Sequence, residues 1–266
     1  MAGQSWWDER AGFFGEFYMR GDHSVEGHLA ARLQRVEERT KAEIEGIVHL
    51  LDMARPQRVL DVPCGYGRHA ICLALRGHDV VGVDINEAHL SLARVKAIEQ
   101  EVHPIFVKQN MLTISYRSEF DAVINMFYSF GFFETDAENL AVLENFFSAL
   151  KPGGKFLMHT DVNIPRILDG RYKTDETRRL VDGSSLRISE RYNEYSKRIE
   201  GAWTIESGSS TSTKPYSVRV YEESEFRDMC FQVGFVACDS YGGWDGQPYS
   251  RDSEEIIFVA KRSSSL

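Results

Sequence analysis

At 266 residues and 42% hydrophobic content, the chain can bury a full core, as one α/β domain or a core with a small appendage. A net charge of −9 with no lysine or arginine block excludes a nucleic-acid partner from the expectation, because phosphate-backbone binding is largely electrostatic. No apolar run reaches the ~20 residues of a membrane span, and MAGQSWWDER lacks a signal peptide's basic-then-apolar order. The expectation is a cytoplasmic protein with no membrane partner. Cys64, Cys72, Cys230 and Cys238 form no C-x-x-C pair and read as small buried hydrophobes, and no His, Cys or carboxylate spacing points to a metal.

In chain order, residues 1–53 begin with an aromatic stretch: Trp6, Trp7, Phe13, Phe14, Phe17 and Tyr18. A helical pattern follows, with Leu29, Leu33, Val36, Ile44, Ile47 and Leu51 at steps of three and four until Pro56. Strands and helices then alternate: RVLDV (58–62), a glycine turn, the helix HAICLALRG, DVVGVDI (79–85), a helix through Ala97, PIFVKQ, and FDAVINM (120–126). Thr135-Asp136-Ala137-Glu138 reads as a capping box opening a helix that stops at Lys151-Pro152-Gly153-Gly154, before the strand KFLMHTD. This alternation predicts a parallel, doubly wound sheet over 54–162. Residues 163–221 change rhythm, with SLRISERY, IEGAWTIE and YSVRVYEE reading as antiparallel strands inserted near the active edge of the sheet. Residues 222–262 return to the first pattern through helix 222–233, FVACDSY and EEIIFVAKR, and 263–266 read as a disordered tail.

The segment Asp61 to Ala70 lies between a strand and a helix, where doubly wound folds bind nucleotides. Gly65, Gly67 and Ala70 fit G-x-G-x-x-G/A, and the next strand ends at Asp84, 23 positions after Asp61 (84 − 61), where a carboxylate can accept from both hydroxyls of a ribose. Two ligands compete for such a turn. A dinucleotide needs helix amides free for pyrophosphate, whereas Asp61 repels phosphate and suits the ammonium of a bound amino acid. S-adenosylmethionine has an ammonium, a ribose, an adenine and no phosphate, so it is the expected ligand, with S-adenosylhomocysteine as product.

Taken together, LDVPCGYGRHA, VVGVDI, KQNM, FDAVINMFYSFGFF and LKPGGKF, over about residues 57–160, resemble the ordered motifs of class I S-adenosylmethionine-dependent methyltransferases. The resemblance implies a Rossmann-like seven-stranded sheet of order 3-2-1-4-5-7-6 with the last strand antiparallel, under an N-terminal helical lid. It further implies that Asp61, Pro63, Gly65, Tyr66, Gly67 and Arg68 surround the methionine part of the donor, Asp84 and Ile85 the ribose, and Asn110 and Met111 the adenine. Asn125 and Met126 would lie near the sulfur, and Tyr18 near the donor carboxylate. Asn110 departs from the often acidic residue at its position; its amide oxygen can still accept from an adenine amine.

After the fourth strand, Phe127-Tyr128-Ser129-Phe130-Gly131-Phe132-Phe133 replaces the N/D-P-P-Y/F of methylases acting on DNA or protein amino groups, which argues for a small-molecule acceptor. Phe127, Tyr128 and Phe130 are candidate acceptor contacts, and Phe132 and Phe133 read as core. Trp244 and Tyr249, in the loop 242–249, would sit at the acceptor mouth if the sixth strand runs with the first five. Tyr18, Tyr128 and His159 are the candidate catalytic residues, His159 because imidazole titrates near working pH. Trp6 and Trp7 suit packing or contact with a second copy, so a homo-oligomer is compatible. With no base dyad in view, nitrogen is favoured over oxygen or carbon as acceptor. The whole pattern resembles bacterial methyltransferases of amino sugars and lincosamide-type antibiotics. A nicotinamide oxidoreductase and a non-catalytic nucleoside-binding protein are the readings from other classes.

Overall fold

The computed structural model describes residues 12–22, 36–127 and 129–265. The expectations for Trp6, Trp7, Tyr128 and the helical stretch 24–35 lie outside the described residues. Among the described residues, the helices α1 (Glu16–Asp22) and α2 (Val36–Leu50) come first. The alternating part follows: β1 (Arg58–Asp61), α3 (Arg68–Leu75), β2 (Asp79–Asp84), α4 (Glu87–Glu99), β3 (Ile105–Lys108), β4 (Phe120–Asn125), α5 (Asp136–Ala149) and β5 (Leu150–Thr160). Next come α6 (Ile164–Leu168), the strands β6 (Asp175–Arg179), β7 (Ser185–Asn193), β8 (Arg198–Ser207) and β9 (Ser210–Arg219), then α7 (Glu223–Val233), β10 (Ala237–Tyr241) and β11 (Ile256–Lys261).

The main sheet has the order β10-β11-β5-β4-β1-β2-β3. β11 runs antiparallel to both its neighbours and the other pairs are parallel, so the expected seven-stranded α/β methyltransferase sheet is present. Side-chain alternation divides the core between its two faces. Leu60 and Val123 join α5 and α7 in one cluster, while Val59, Ala122 and Ile124 join α2 and α3 in the other. Burial on both faces is why these strands read as unbroken apolar runs. α5 opens with the capping box read from the sequence: Thr135 Oγ1 accepts from the Glu138 N–H (3.2 Å) and Glu138 Oε2 accepts from the Thr135 N–H (3.0 Å). β5 starts five residues earlier than expected, because Leu150 pairs with Phe120 ahead of the glycine turn. The start of the tail is held rather than loose, since Gly153 donates to the Ser263 carbonyl at 2.9 Å.

The strands β6-β7-β8-β9 form a separate antiparallel sheet. Its first strand, Asp-Glu-Thr-Arg-Arg, lacks apolar alternation and carried no sequence signal. Gly131, at φ +104, ties this sheet to the chain leaving β4: its carbonyl accepts from the Arg219 N–H at 2.8 Å, and a Cβ there would lie 2.1 Å from the Arg219 carbonyl oxygen. Strand order reverses at β1, whose neighbours are β2 and β4, so the ligand-binding switch point of an open α/β sheet lies beyond its carboxyl end.

Candidate functional site

A cleft of about 990 Å³, open in part to solvent, lies at that switch point. Its floor is Val62, Pro63, Cys64, Gly65 and Tyr66 after β1, and one side carries Asp84, Ile85, Gln109, Asn110 and Met111 from the ends of β2 and β3. Arg68 and His69 open α3 on another side, and Phe14, Tyr18, Met126, Phe127, Phe132 and Phe133 supply an aromatic and apolar wall.

Backbone and carboxylate fix the shape of the donor half. Gly65 and Gly67 have φ of +54 and +79, and a Cβ on Gly67 would come within 2.8 Å of Ala93 Cβ. Asp84 is buried; its Oδ2 accepts from the Gly65 N–H and its Oδ1 from the Asn86 N–H, both at 2.8 Å. Burial raises the Asp84 carboxyl, against the pull of His89 and of the amides that bond it. Asn86 caps α4 and donates through Nδ2 to the Phe14 carbonyl at 2.8 Å, which fastens the N-terminal segment to this rim. Asn110 accepts through Oδ1 from the Leu112 N–H at 2.9 Å, so its amide also shapes the turn after β3.

Asp61 is not on the cleft surface. It is fully buried behind the floor, and neither carboxylate oxygen has a hydrogen-bond partner. Burial lifts its carboxyl to about 8; the Arg68 charge pulls the other way without reversing it. Gly67 likewise packs against Ala93 and Phe106 rather than lining the cavity. Asn125 is buried, donates to the Val62 carbonyl at 2.8 Å, and leaves Oδ1 unpartnered.

Several expected site residues stand elsewhere. His159 is sealed in the core, its Nε2 3.0 Å from Glu255 and 3.5 Å from Arg39, so it does not reach the cleft as a base. Trp244 lies on α2, where a Cβ on Gly46 would touch its ring at 2.5 Å, and its ring centre is 5.2 Å from that of His159. Tyr249 donates to Asn163 Oδ1 at 3.0 Å. Hence the 242–249 loop closes against α2 and α6 instead of opening onto the acceptor. Phe130 packs between Tyr221 and Phe226 in the core, while Phe132 and Phe133, expected in the core, border the cavity. Only Gly131 separates Phe130 from Phe132 in the chain, and its left-handed turn sends the two rings to opposite sides.

One feature of the site had no sequence signal. Glu43 on α2 is fully buried and accepts from Arg39 Nε (2.6 Å), Arg68 Nη1 (2.5 Å) and His69 Nε2 (2.9 Å). Burial alone would raise its carboxyl, but Arg68, His69 and Arg39 hold it well below the usual range. His69 is pushed down to about 4 by burial and the Arg68 charge, so it is neutral at pH 7. Arg39 also donates to Glu255, which joins this network to His159. Above it lies the Phe127 ring, 4.3 Å from the Arg68 guanidinium, on a backbone with φ +56 that is uncommon for a bulky residue.

Comparison with known proteins agrees with this geometry. Residues 59–154 match the model of the methyltransferase domain family. The chain is 26% identical over 222 residues to the cypemycin N-terminal methyltransferase of a Streptomyces species, covering 82% of this chain and 89% of that one. It is 29% identical over 168 residues to the dTDP-3-amino-3,4,6-trideoxy-alpha-D-glucopyranose N,N-dimethyltransferase of Streptomyces venezuelae, covering 62% and 68%. The CcbJ methyltransferase of Streptomyces caelestis shares the fold, with a TM-score of 0.72 at 20% identity over 83% of this chain and 89% of that one. Among the described residues no helix is long and apolar enough to cross a membrane, and no group of three or more His, Cys, Asp or Glu could hold a metal. Residues 59–154 thus form a methyltransferase domain on the seven-stranded α/β methyltransferase fold, and the comparisons support an S-adenosylmethionine-dependent methyltransferase.

Proposed function

We propose that this enzyme methylates an amine nitrogen of a small natural product or metabolite. The donor fits the residues present. Asp61 lies behind the floor with no hydrogen-bond partner on either carboxylate oxygen, so its charge can act on a donor ammonium across the turn rather than by contact, and a Cβ added to Gly65 would point into open space that a ligand can enter. In this reading Pro63, Gly65, Tyr66 and Arg68 surround the methionine part, with Asp61 beneath. Asp84 and Ile85 hold the ribose, and Gln109, Asn110 and Met111 face the adenine. Met126 and Phe127 flank the sulfur, and Tyr18 faces the acceptor.

When bound, S-adenosylmethionine supplies an electrophilic methyl group on a sulfonium. The chain contributes alignment and exclusion of water, which in favourable systems lower a barrier by ~7–11 kcal/mol. One observation carries the choice of nitrogen: the acceptor side of the cleft is a wall of Phe14, Tyr18, Phe127, Phe132 and Phe133. Attack by a neutral amine moves a positive charge from sulfur to nitrogen without creating a new one, and aromatic faces favour that charge at either atom. A phenol acceptor needs a base in reach, and His159, the candidate read from the sequence, is sealed away. The N-methylating relatives support the same reading.

The test is a screen of amino sugars, amino acids, peptides with free N-termini and matched phenols, with S-adenosylmethionine and mass detection. A mass gain on an amine nitrogen is expected. Methyl found only on phenolic oxygen refutes the choice of atom.

A further inference from the structure

The antiparallel sheet carries a polar feature that donor binding does not use. On β7 the side chains of Leu186, Ile188, Glu190 and Tyr192 share one face, with Ile199, Gly201, Trp203 and Ile205 of β8 and Tyr216 and Val218 of β9. This face packs on Phe13, Phe14, Phe17, Phe132, Val162 and Ile164, yet Glu190 places a carboxylate in its middle. Cross-strand register explains how it is held: Glu190 pairs with Gly201, and Gly201 with Tyr216. A Cβ on Gly201 would lie 2.4 Å from Tyr216 Cζ, so the phenol lies flat across β8, and its hydroxyl donates to Glu190 Oε1. Tyr172 donates to Oε2 at 2.9 Å.

From there a continuous set of rings leads to the donor cleft. Phe13 lies 4.6 Å from Tyr216 and 5.0 Å from Phe14, Trp203 stacks on Tyr18 at 5.4 Å, and Phe14 and Tyr18 line the cleft. Glu190, Tyr172, Tyr216 and Trp203 are all half-buried. Other charged groups of this face are Glu176 and Arg178 of β6, bonded to each other at 2.7 Å, Lys214 of β9 paired opposite Trp203, and Asp161 at the end of β5. Burial lifts the Glu190 carboxyl to about 7; the Tyr216 and Tyr172 hydroxyls and Arg178 oppose the rise, and the Asp161 charge adds to it.

We propose that Glu190 anchors a subsite, contiguous with the donor cleft, for an ammonium group of the acceptor other than the nitrogen that attacks, with the aromatic rings of Phe13, Tyr18, Trp203 and Tyr216 around the attached skeleton. Each carboxylate oxygen receives one tyrosine hydroxyl and keeps further acceptor capacity, which a primary or secondary ammonium can use. Aromatic faces attract the same charge. Asp161 supplies a second negative charge that such a cation offsets. The inference rests on the amine reading for its biological sense, but the site itself is a statement about charge.

The probes are benzylammonium and its neutral counterpart benzyl alcohol, titrated by ligand-observed NMR in the presence of S-adenosylhomocysteine. Wild type is expected to prefer the ammonium by about tenfold or more, a difference of about 1.4 kcal/mol. The preference should strengthen from pH 6 to pH 8 as Glu190 ionises. In Glu190→Gln it should fall below about twofold, while calorimetric affinity for S-adenosylhomocysteine stays within about twofold of wild type. Tyr216→Phe keeps the carboxylate and should keep the preference, which separates loss of charge from loss of structure if the first variant folds poorly. An equal preference in wild type and Glu190→Gln, or one that does not change with pH, overturns the proposal. An enzyme that methylates only oxygen yet shows the Glu190-dependent preference refutes the amine reading and leaves the subsite standing.

Discussion

With burial holding the Asp61 carboxyl at about 8, about nine-tenths of the free protein carries it protonated at pH 7. An opposite charge within ~4–6 Å favours ionisation, so the proposed seat of the donor ammonium above the cleft floor implies that donor binding drives this proton off. The donor's α-amino group, with an ordinary value near 8, takes up about 0.1 proton at pH 7 to become fully charged. The difference is a net release of about 0.8 proton per donor bound. Because binding releases a proton, affinity rises with pH: about twenty-fold between pH 6 and pH 8, after allowing for loss of the donor's own ammonium at the upper end.

Calorimetric titration with S-adenosylmethionine at pH 7, in buffers of contrasting ionisation enthalpy, measures the release directly, and the same titrations across pH give the affinity profile. Asp61→Asn keeps the side-chain volume and removes the ionisable group. Release should fall to nearly zero and the rise of affinity with pH should vanish. Asp84 is also raised by burial, but its two oxygens already accept from the Gly65 and Asn86 amides, so Asp61→Asn isolates the group without a partner. A heat of binding that does not depend on the buffer, or equal proton release in Asp61→Asn, would refute the placement of the ammonium.

Three further outcomes follow from the buried charges and packing. Glu43→Gln leaves Arg39 and Arg68 without their shared anion and should cost about 3–5 kcal/mol in urea unfolding, with weakened donor binding. His69 is neutral in the fold down to about pH 4, whereas the unfolded chain protonates it near 6.5. The unfolded state therefore binds more protons at this residue in that window, and the His69 contribution to stability should fall as pH drops from 6.5 to 4, by on the order of 3 kcal/mol; the raised Asp61 and Glu190 carboxyls act in the opposite direction over the same range, so the difference in urea stability between wild type and His69→Gln at pH 7 and 4.5 measures it. Trp244→Ala should lower stability by about 3–5 kcal/mol by opening a cavity on α2, while leaving the acceptor KM unchanged; a raised KM would return Trp244 to the acceptor mouth.

The glycine turn and the strand ends around it were legible because their signals are local. Buried parallel strands have continuous apolar runs, and a turn with positive φ at residues 65 and 67 needs glycine, so β1, the turn and the end of β2 could be placed from spacing alone. The rest depends on partners far apart in the chain. Arg39 and Glu43 are an i,i+4 pair of opposite charge, the usual mark of a solvated helix face, yet both are buried because Arg68, His69 and Glu255 come to meet them. His159 was rightly placed at the end of its strand, but β11 brings Glu255 over it and closes the route to solvent. Phe130 and Phe132 could not be sorted without knowing that Gly131 is left-handed, and β6 gave no periodicity at all.

That division of signals matches a division of labour. The proposed donor site is shaped largely by main chain: Gly65 and Asn86 amides on Asp84, left-handed glycines, and the ends of three parallel strands. A substitution there must keep a backbone path, so few are tolerated. The wall opposite is built of side chains from the N-terminal segment, from the loop after β4 and, behind them, from the antiparallel sheet. Exchanging a ring or a carboxylate on β7, β8 or β9 leaves the parallel sheet and its turn untouched. On the proposed reading, acceptor choice can therefore change by side-chain replacement without loss of the donor, while Gly201 must stay small for Tyr216 to lie across β8 and reach Glu190.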